Sequence, residues 1–331
     1  MSRYDGSPFC EKLDKVLLIK GIPHQRVNVL PLVAGRPEIT DLLGLGYRRI
    51  PILAIGNDIY CDSSLIVPTL ERRFPSSEGG RDTVFSPNKH GGGPNTGLLK
   101  AFARHYGDTV LLRLFVCLIS WDNANPEALK DRSKLFGAPI DPQEWAERRP
   151  KVLSELTSHI ALIEDQLADG REWLLDTVFP GLADLSVHYI YSWVMLNSMG
   201  FFNSEVVDSL FEKSRFPKTI KWLEHFNEYT DNLKKDSPAP TVIDGKEAAR
   251  QIAGSSHESD DVVGFDETHA KWLGLKRGTT VHIRPEDYGK EWPHTGKLIG
   301  LNHEEFCVES QGSSGTFRVH FPRIGFTIEA V

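Results

Sequence analysis

Tyr4-Asp5-Gly6-Ser7-Pro8-Phe9-Cys10 opens the first regular element of this chain. Pro8 suits the first position of a helix, where its missing N–H costs nothing, and Ser7 before it can serve as the N-cap. Leu13, Val16 and Leu17 follow at helical spacing, and Gly21 with Pro23 ends the run. Next, Gln25-Arg26-Val27-Asn28-Val29 alternates as a strand, and Pro37 to Leu43 reads as a short helix. Pro51-Ile52-Leu53-Ala54-Ile55 and Ile59-Tyr60-Cys61 form a hairpin about a turn at Gly56-Asn57-Asp58. A last helix starts near Asp62-Ser63, and Pro68 inside it is expected to kink it by removing a helical donor. The order helix, strand, helix, strand, strand, helix describes an α/β domain over residues 1–75.

Beyond it, residues 76–97 are rich in Gly, Ser and Pro, including Gly91-Gly92-Gly93-Pro94, and lack apolar periodicity. They read as a mobile linker. Residues 98–235 are helical in period: Val152, Leu153, Leu156, Ile160, Ile163 and Leu167 recur on one face, which makes this block an all-α bundle. After Pro238-Ala239-Pro240 the texture changes. Two short helical stretches (246–253 and 266–273) precede β-like runs at 279–284, 296–301, 305–309, 317–321 and 326–328. Residues 241–331 therefore read as a separate, independently cooperative antiparallel β module, flat or closed part-way into a barrel. The fold class is α+β, with several domains.

Composition narrows the function. Lys plus Arg total 38 against 45 Asp plus Glu, and a net charge of −7 gives no general attraction to phosphate backbones or anionic lipid. No nucleic-acid or membrane partner is expected. The most apolar window, Val110 to Ile119, is far shorter than the ~20 residues of a membrane-spanning helix. Met1 to Gly6 carries no apolar secretory core, and Cys10, Cys61, Cys117 and Cys307 lack paired spacing. A reducing, cytoplasmic setting fits. The 12 histidines, among them His282, His294, His303 and His320, show no ligand spacing, so no metal is expected.

Four motifs combine into a resemblance. They are Ser7-Pro8-Phe9-Cys10 at the first helix, Arg49-Ile50-Pro51-Ile52-Leu53 at the third strand, Asp62-Ser63 at the last helix of the block, and Gly181-Leu182-Ala183-Asp184 in the helical region. Together they resemble the glutathione transferases, with a thioredoxin-like domain followed by a helical C-terminal-type domain. Tyr4 to Phe9 with Gly44-Leu45-Gly46-Tyr47-Arg48-Arg49 is similar to a fungal branch, some members of which are encoded beside polyketide biosynthesis genes. The resemblance implies glutathione as co-substrate and a small-molecule electrophile as acceptor, and it leaves a homodimer open as the assembly. It implies a cis Ile50–Pro51 bond that presents the Ile50 backbone to an extended peptide. Arg49, Ile50, Pro51, Asp62 and Ser63 are then the glutathione-binding residues, Ser63 taking a carboxylate and Asp62 an ammonium group.

The chemistry needs a stabilised thiolate, because the thiolate and not the thiol is the nucleophile. A helix N-terminus favours an anion, and Ser7 can donate its hydroxyl hydrogen to the sulfur there; as an ordinary N-cap it would have no such part. Cys10 stands where a resolving cysteine would, without the first cysteine of a redox pair, and its face of the helix is more often buried. Tyr4 is the third catalytic candidate, and otherwise a strand-end aromatic. The acceptor would lie between the first two domains near Phe102, His105 and Tyr106. Addition of glutathione thiolate to an electrophile is the leading reading, with a glutathione-assisted isomerisation or a non-catalytic binding or scaffold role as alternatives. Asp184, three residues after Gly181, can cap its helix by half of a capping box. Met1 to Tyr4 leaves room only for a strand stub, so Arg26 to Val29 beside it should lack partners and exchange amide hydrogens quickly.

Overall fold

The computed structural model describes residues 1–32, 35–77, 82–122 and 124–331. Its first part runs β1 (Ser2–Arg3), α1 (Pro8–Ile19), β2 (Gln25–Asn28), α2 (Pro37–Thr40), β3 (Ile52–Ile55), β4 (Asp58–Cys61) and α3 (Ser63–Arg73). β1 pairs parallel to β2 and antiparallel to β3, and β3 antiparallel to β4. The order β2-β1-β3-β4 is the thioredoxin-like core. Leu13, Val16 and Leu17 of α1 and Leu65 and Ile66 of α3 bury their apolar stripes in one cluster with the helical bundle. α3 continues past Pro68 as one helix.

The bundle holds α4 (Thr96–Ala101), a π-helix (Phe102–Leu111) and α5 (Leu112–Val116) in direct succession, then α6 (Pro126–Phe136), α7 (Pro142–Gln166), α8 (Leu182–Leu196), α9 (Ser204–Leu210) and α10 (Pro217–Asp236). α8 is buried on every side from Leu182 to Val194 because it sits at the centre, against α1 and the π-helix. Asp184 does cap it, accepting the Gly181 N–H at 3.0 Å. The same carboxylate accepts the Leu174 N–H at 2.8 Å and the Trp222 indole at 2.9 Å, so it ties three segments together.

The C-terminal part contains β5 (Thr241–Val242), α11 (Gly245–Ala253), α12 (Asp260–Val263), α13 (Glu267–Trp272), β6 (Thr280–Pro285), β7 (His294–Leu301), β8 (Glu305–Gly312), β9 (Gly315–Pro322) and β10 (Phe326–Ala330). β6 to β10 are an antiparallel module, as the alternation predicts. The module neither stands apart nor closes into a barrel. β9 lies parallel to β4, with Ile59 opposite Val319, and one open ten-stranded sheet runs β10-β6-β7-β8-β9-β4-β3-β1-β2-β5. Its second core merges Val27, Ile39, Ile52 and Ile59 with Val281, Leu298, Phe317 and Phe321. Backbones meet closely at this junction: Gly44, at φ 68, lies where any Cβ would strike the Gln311 carbonyl.

Two more expectations are corrected by this arrangement. β1 is short, yet the Val27 and Val29 amides donate to Met1 and Arg3 carbonyls at 2.9 and 2.8 Å, and β5 covers the other edge of β2. Val27 and Val29 are therefore paired to β1, and Arg26 to the β5 side. The linker is docked over residues 83–89, while Gly91 to Pro94 is exposed. Val84 accepts the Leu182 N–H at 2.7 Å, Pro87 accepts the Val178 N–H at 3.0 Å, and Glu71 accepts from Thr83 and Val84. Residues 78–81 of that linker lie outside the described residues.

Candidate functional site

The N-terminus of α3, with Asp62 and Ser63, lies at the cleft between the thioredoxin-like part and the π-helix, where Ser63 meets Asp108, and Ser7 stands at the N-terminus of α1. Ser7 is the N-cap residue of α1, 4 % exposed, and its hydroxyl makes no capping bond to the backbone amides of that helix. It reaches the Cys10 thiol instead. Cys10 is wholly buried, and that burial pushes its thiol up to about 11 despite Ser7 and Arg3. A protonated, inaccessible thiol is a poor nucleophile. Tyr4 is half-buried with the Arg36 guanidinium over its ring at 5.8 Å.

Ile50–Pro51 is cis, and both residues are buried. Asp62 precedes α3 at φ 73 and accepts the Ser64 N–H at 3.0 Å and the Ser64 hydroxyl at 2.8 Å. Burial pushes the Asp62 carboxyl up, but Arg49, Arg104 and Ser64 together hold it below the usual carboxylate range. Arg49 stands 3.3 Å from Asp62 and 2.8 Å from Asp287 of the C-terminal module, over the rings of Tyr47 and Phe326. Ser63, 3 % exposed, donates to Asp108 at 3.4 Å. Asp108 in turn accepts from Lys12 at 2.7 and 2.9 Å and from the Tyr189 hydroxyl at 2.9 Å.

The π-helix supplies residues that the sequence reading missed. Arg104 and Asp108, four apart, share the face turned to the thioredoxin-like part. Arg104 is half-buried, acts electrostatically on Asp62, and its guanidinium has no hydrogen bond or ion pair among the described residues. Gly325, at φ 80 in the β9–β10 turn, leaves the space that this guanidinium fills. Tyr106 turns the other way, its hydroxyl 3.3 Å from His159 of α7 and its ring against Phe102, so these two belong to the bundle rather than to the cleft. His105 is exposed. A charged residue on the buried face of a helix, such as Lys12 among Leu13 and Val16 or Asp108 beside Leu111, is the signal that marks such a site, since a buried charge requires a partner.

The result is a site with mixed charge. Arg49 and Arg104 act on Asp62, Arg49 also reaches Asp287, and Lys12 and the Ser63 hydroxyl meet Asp108 at the N-terminus of α3. Among the described residues, no group of His, Cys, Asp and Glu is placed to hold a metal ion, and no helix is long and apolar enough to cross a membrane.

Residues 1–78 match the family described as glutathione S-transferase, N-terminal domain, and residues 121–235 match a domain of unknown function, DUF7962. No curated protein matches the chain. A GST-like protein from Pseudomonas syringae is 22 % identical, aligns over 100 % of this chain and 98 % of its own, and superposes with a TM-score of 0.70. The three-part architecture is thus shared at full length. A rice glutathione transferase in complex with glutathione (18 % identity, 75 % of this chain, 93 % of that one) has a TM-score of 0.44, too low to carry an argument. Residues 1–78 thus carry a glutathione S-transferase N-terminal domain, in a chain whose fold, with a C-terminal antiparallel module built into its sheet, is similar to that of the Pseudomonas syringae GST-like protein.

Proposed function

We propose that the protein binds glutathione in this cleft and adds its thiolate to an electrophilic small molecule. The observation that carries the reading is the Ser7 hydroxyl, placed at the N-terminus of a 12-residue helix and left free of that helix's own amides. A thiolate there receives a hydrogen bond and the positive end of the helix together. The γ-glutamyl end is a zwitterion, and the mixed charge around Ser63 matches it: Arg104 and the α3 N-terminus for the carboxylate, Asp62 or Asp108 for the ammonium group. The Ile50 backbone takes the peptide. The likeness of Tyr4 to Phe9 and Gly44 to Arg49 to a fungal branch adds an acceptor from secondary metabolism to the proposal.

A second reading rests on a specific observation. Asp287 already pairs with Arg49, and Asp108 already takes the Ser63 hydroxyl, so these two binding residues have partners without a ligand, as in a binding or scaffold protein that kept the fold. Calorimetry with glutathione and the rate of conjugation to a chloronitrobenzene separate the two. Binding heat at millimolar glutathione, with conjugation slowed about ten- to a hundredfold in Ser7→Ala by loss of a hydrogen bond to a charge and nearly unchanged in Cys10→Ala, supports transfer. No heat of binding refutes it and leaves the scaffold role.

A further inference from the structure

Where β9 joins β4, Asp58, Glu305, Cys307 and His320 alternate with Ile59, Phe306, Val308 and Val319 and so occupy the sheet face opposite that apolar set. All four are at most 4 % exposed. The His320 Nδ1 stands 2.6 Å from a Glu305 oxygen, and its Nε2 stands 3.1 Å from Asp58 and 3.6 Å from the Cys307 sulfur. The Tyr60 ring stacks on the imidazole at 4.4 Å between centroids. Carboxylates only accept, so both ring nitrogens donate and the ring is an imidazolium. Burial opposes this charge, and Cys307, Asp58 and Glu305 overcome it, holding the ring well above its ordinary pKa.

The charges that face the cluster balance. α3 contributes Arg72 and Arg73, β9 contributes Arg318, and the segment before and at the start of α12 contributes Glu258 and Asp260. With His320 these cations offset Asp58, Glu258, Asp260 and Glu305, so no excess of negative charge opposes an anion on Cys307. A cavity of about 20 Å³ opens beside the sulfur, lined by Asp58, Val263, Gly300, Cys307, Arg318 and His320. That is room for a molecule the size of water and excludes a tripeptide. Gly300 is needed for it, since a Cβ there would come within 3.0 Å of both Val263 and Cys307. The other thiols have no such contact: burial pushes Cys10, Cys61 and Cys117 upward, and although His320 acts electrostatically on Cys61, it is the Cys307 sulfur that its Nε2 meets.

We propose that Cys307 is a peroxide-reactive cysteine, activated by the His320–Glu305–Asp58 cluster and converted to a sulfenic acid by hydrogen peroxide entering this small cavity. The thiolate sulfur attacks one peroxide oxygen, an S–O bond forms as the O–O bond breaks, and the departing hydroxide takes the proton the thiol released and leaves as water. Sulfur is oxidised by two electrons and peroxide is reduced by two. His320 keeps its proton and donates to the sulfur throughout. This inference is independent of the glutathione site.

The test treats the folded full-length chain with dilute hydrogen peroxide and dimedone and follows each cysteine by peptide mass spectrometry. Exposure alone would label half-exposed Cys117 first. The cluster instead predicts Cys307 first, by at least about tenfold, because the thiolate is the reacting form. His320→Asn should slow Cys307 at least about tenfold and leave Cys117 unchanged; Glu305→Gln, which preserves shape, should slow it in the same direction and decides the matter where His320→Asn does not fold. Labelling of Cys117 ahead of Cys307, or an unchanged Cys307 rate in folded Glu305→Gln, overturns the assignment.

Discussion

Replacing Asp108 by Ala removes one half of the ion pair that joins the thioredoxin-like part to the bundle. Lys12 and Asp108 are each 1 % exposed at their side chains, and the ammonium makes both of its short contacts, 2.7 and 2.9 Å, to this one carboxylate. Removing the carboxylate strands a buried charge, which costs about 3–5 kcal/mol. The Tyr189 hydroxyl, 2.9 Å from Asp108, loses its acceptor at about 1 kcal/mol more. An unfolding entropy of about 2.1 cal/mol/K per residue gives a chain of 331 residues about 0.7 kcal/mol/K, so the midpoint should fall by about 6 to 9 °C. Scanning calorimetry reads this directly. The combined change Lys12→Met, Asp108→Leu and Tyr189→Phe removes the charges and the Tyr189 hydroxyl together, and most of the loss should return because only the neutral Ser63 hydroxyl loses its acceptor. A fall of under about 2 °C in Asp108→Ala, or a combined variant as unstable as the single one, would refute the reasoning.

His294 is wholly buried; the Gly46 N–H bonds its Nδ1 at 3.2 Å, which puts the proton on Nε2 toward Ser310, and burial pushes its pKa down to about 4. The unfolded chain binds that proton near pH 6.5, so stability should drop as pH falls from 6.5 to 4, by up to about 3 kcal/mol; urea unfolding of His294→Gln that keeps the full slope would exclude His294 as its source. Arg104→Ala should weaken glutathione binding on the order of tenfold, as expected for one charged hydrogen bond, with little change in melting point, and an unchanged calorimetric affinity would remove Arg104 from the site. Proteolysis near Pro238-Ala239-Pro240 should yield fragments that co-elute in size exclusion, since β4–β9 and β2–β5 still hold them; separate elution would restore the independent module.

Local signals were legible and distant ones were not. Ser7-Pro8 started α1 where expected, Gly56-Asn57 turned the hairpin, and each of the five C-terminal strands lies where alternation puts it. Each of those depends on neighbours along the chain. The pairing of β9 with β4 and of β5 with β2 joins residues more than 200 apart, and an apolar alternation does not say which edge it will meet. The site divides in the same way. Ser7, Ile50–Pro51 and Asp62-Ser63 carry recognisable local motifs, whereas Lys12, Arg104, Asp108 and His320 are single charged residues whose meaning depends on a partner supplied by another element.

The junction of β4 with β9 also sets a schedule for synthesis. His320 follows Asp58 by 262 residues, and at about 5–20 residues per second a ribosome needs roughly 13 to 50 s to make the partner strand. Through that interval Asp58 to Cys61 is a bare edge on a hydrophobic hairpin, the kind of template onto which another nascent chain can add a strand. Asp58 places a negative charge on that edge, a recurrent protection against such pairing. The carboxylate that guards the growing chain is the one His320 neutralises when the sheet is finally completed.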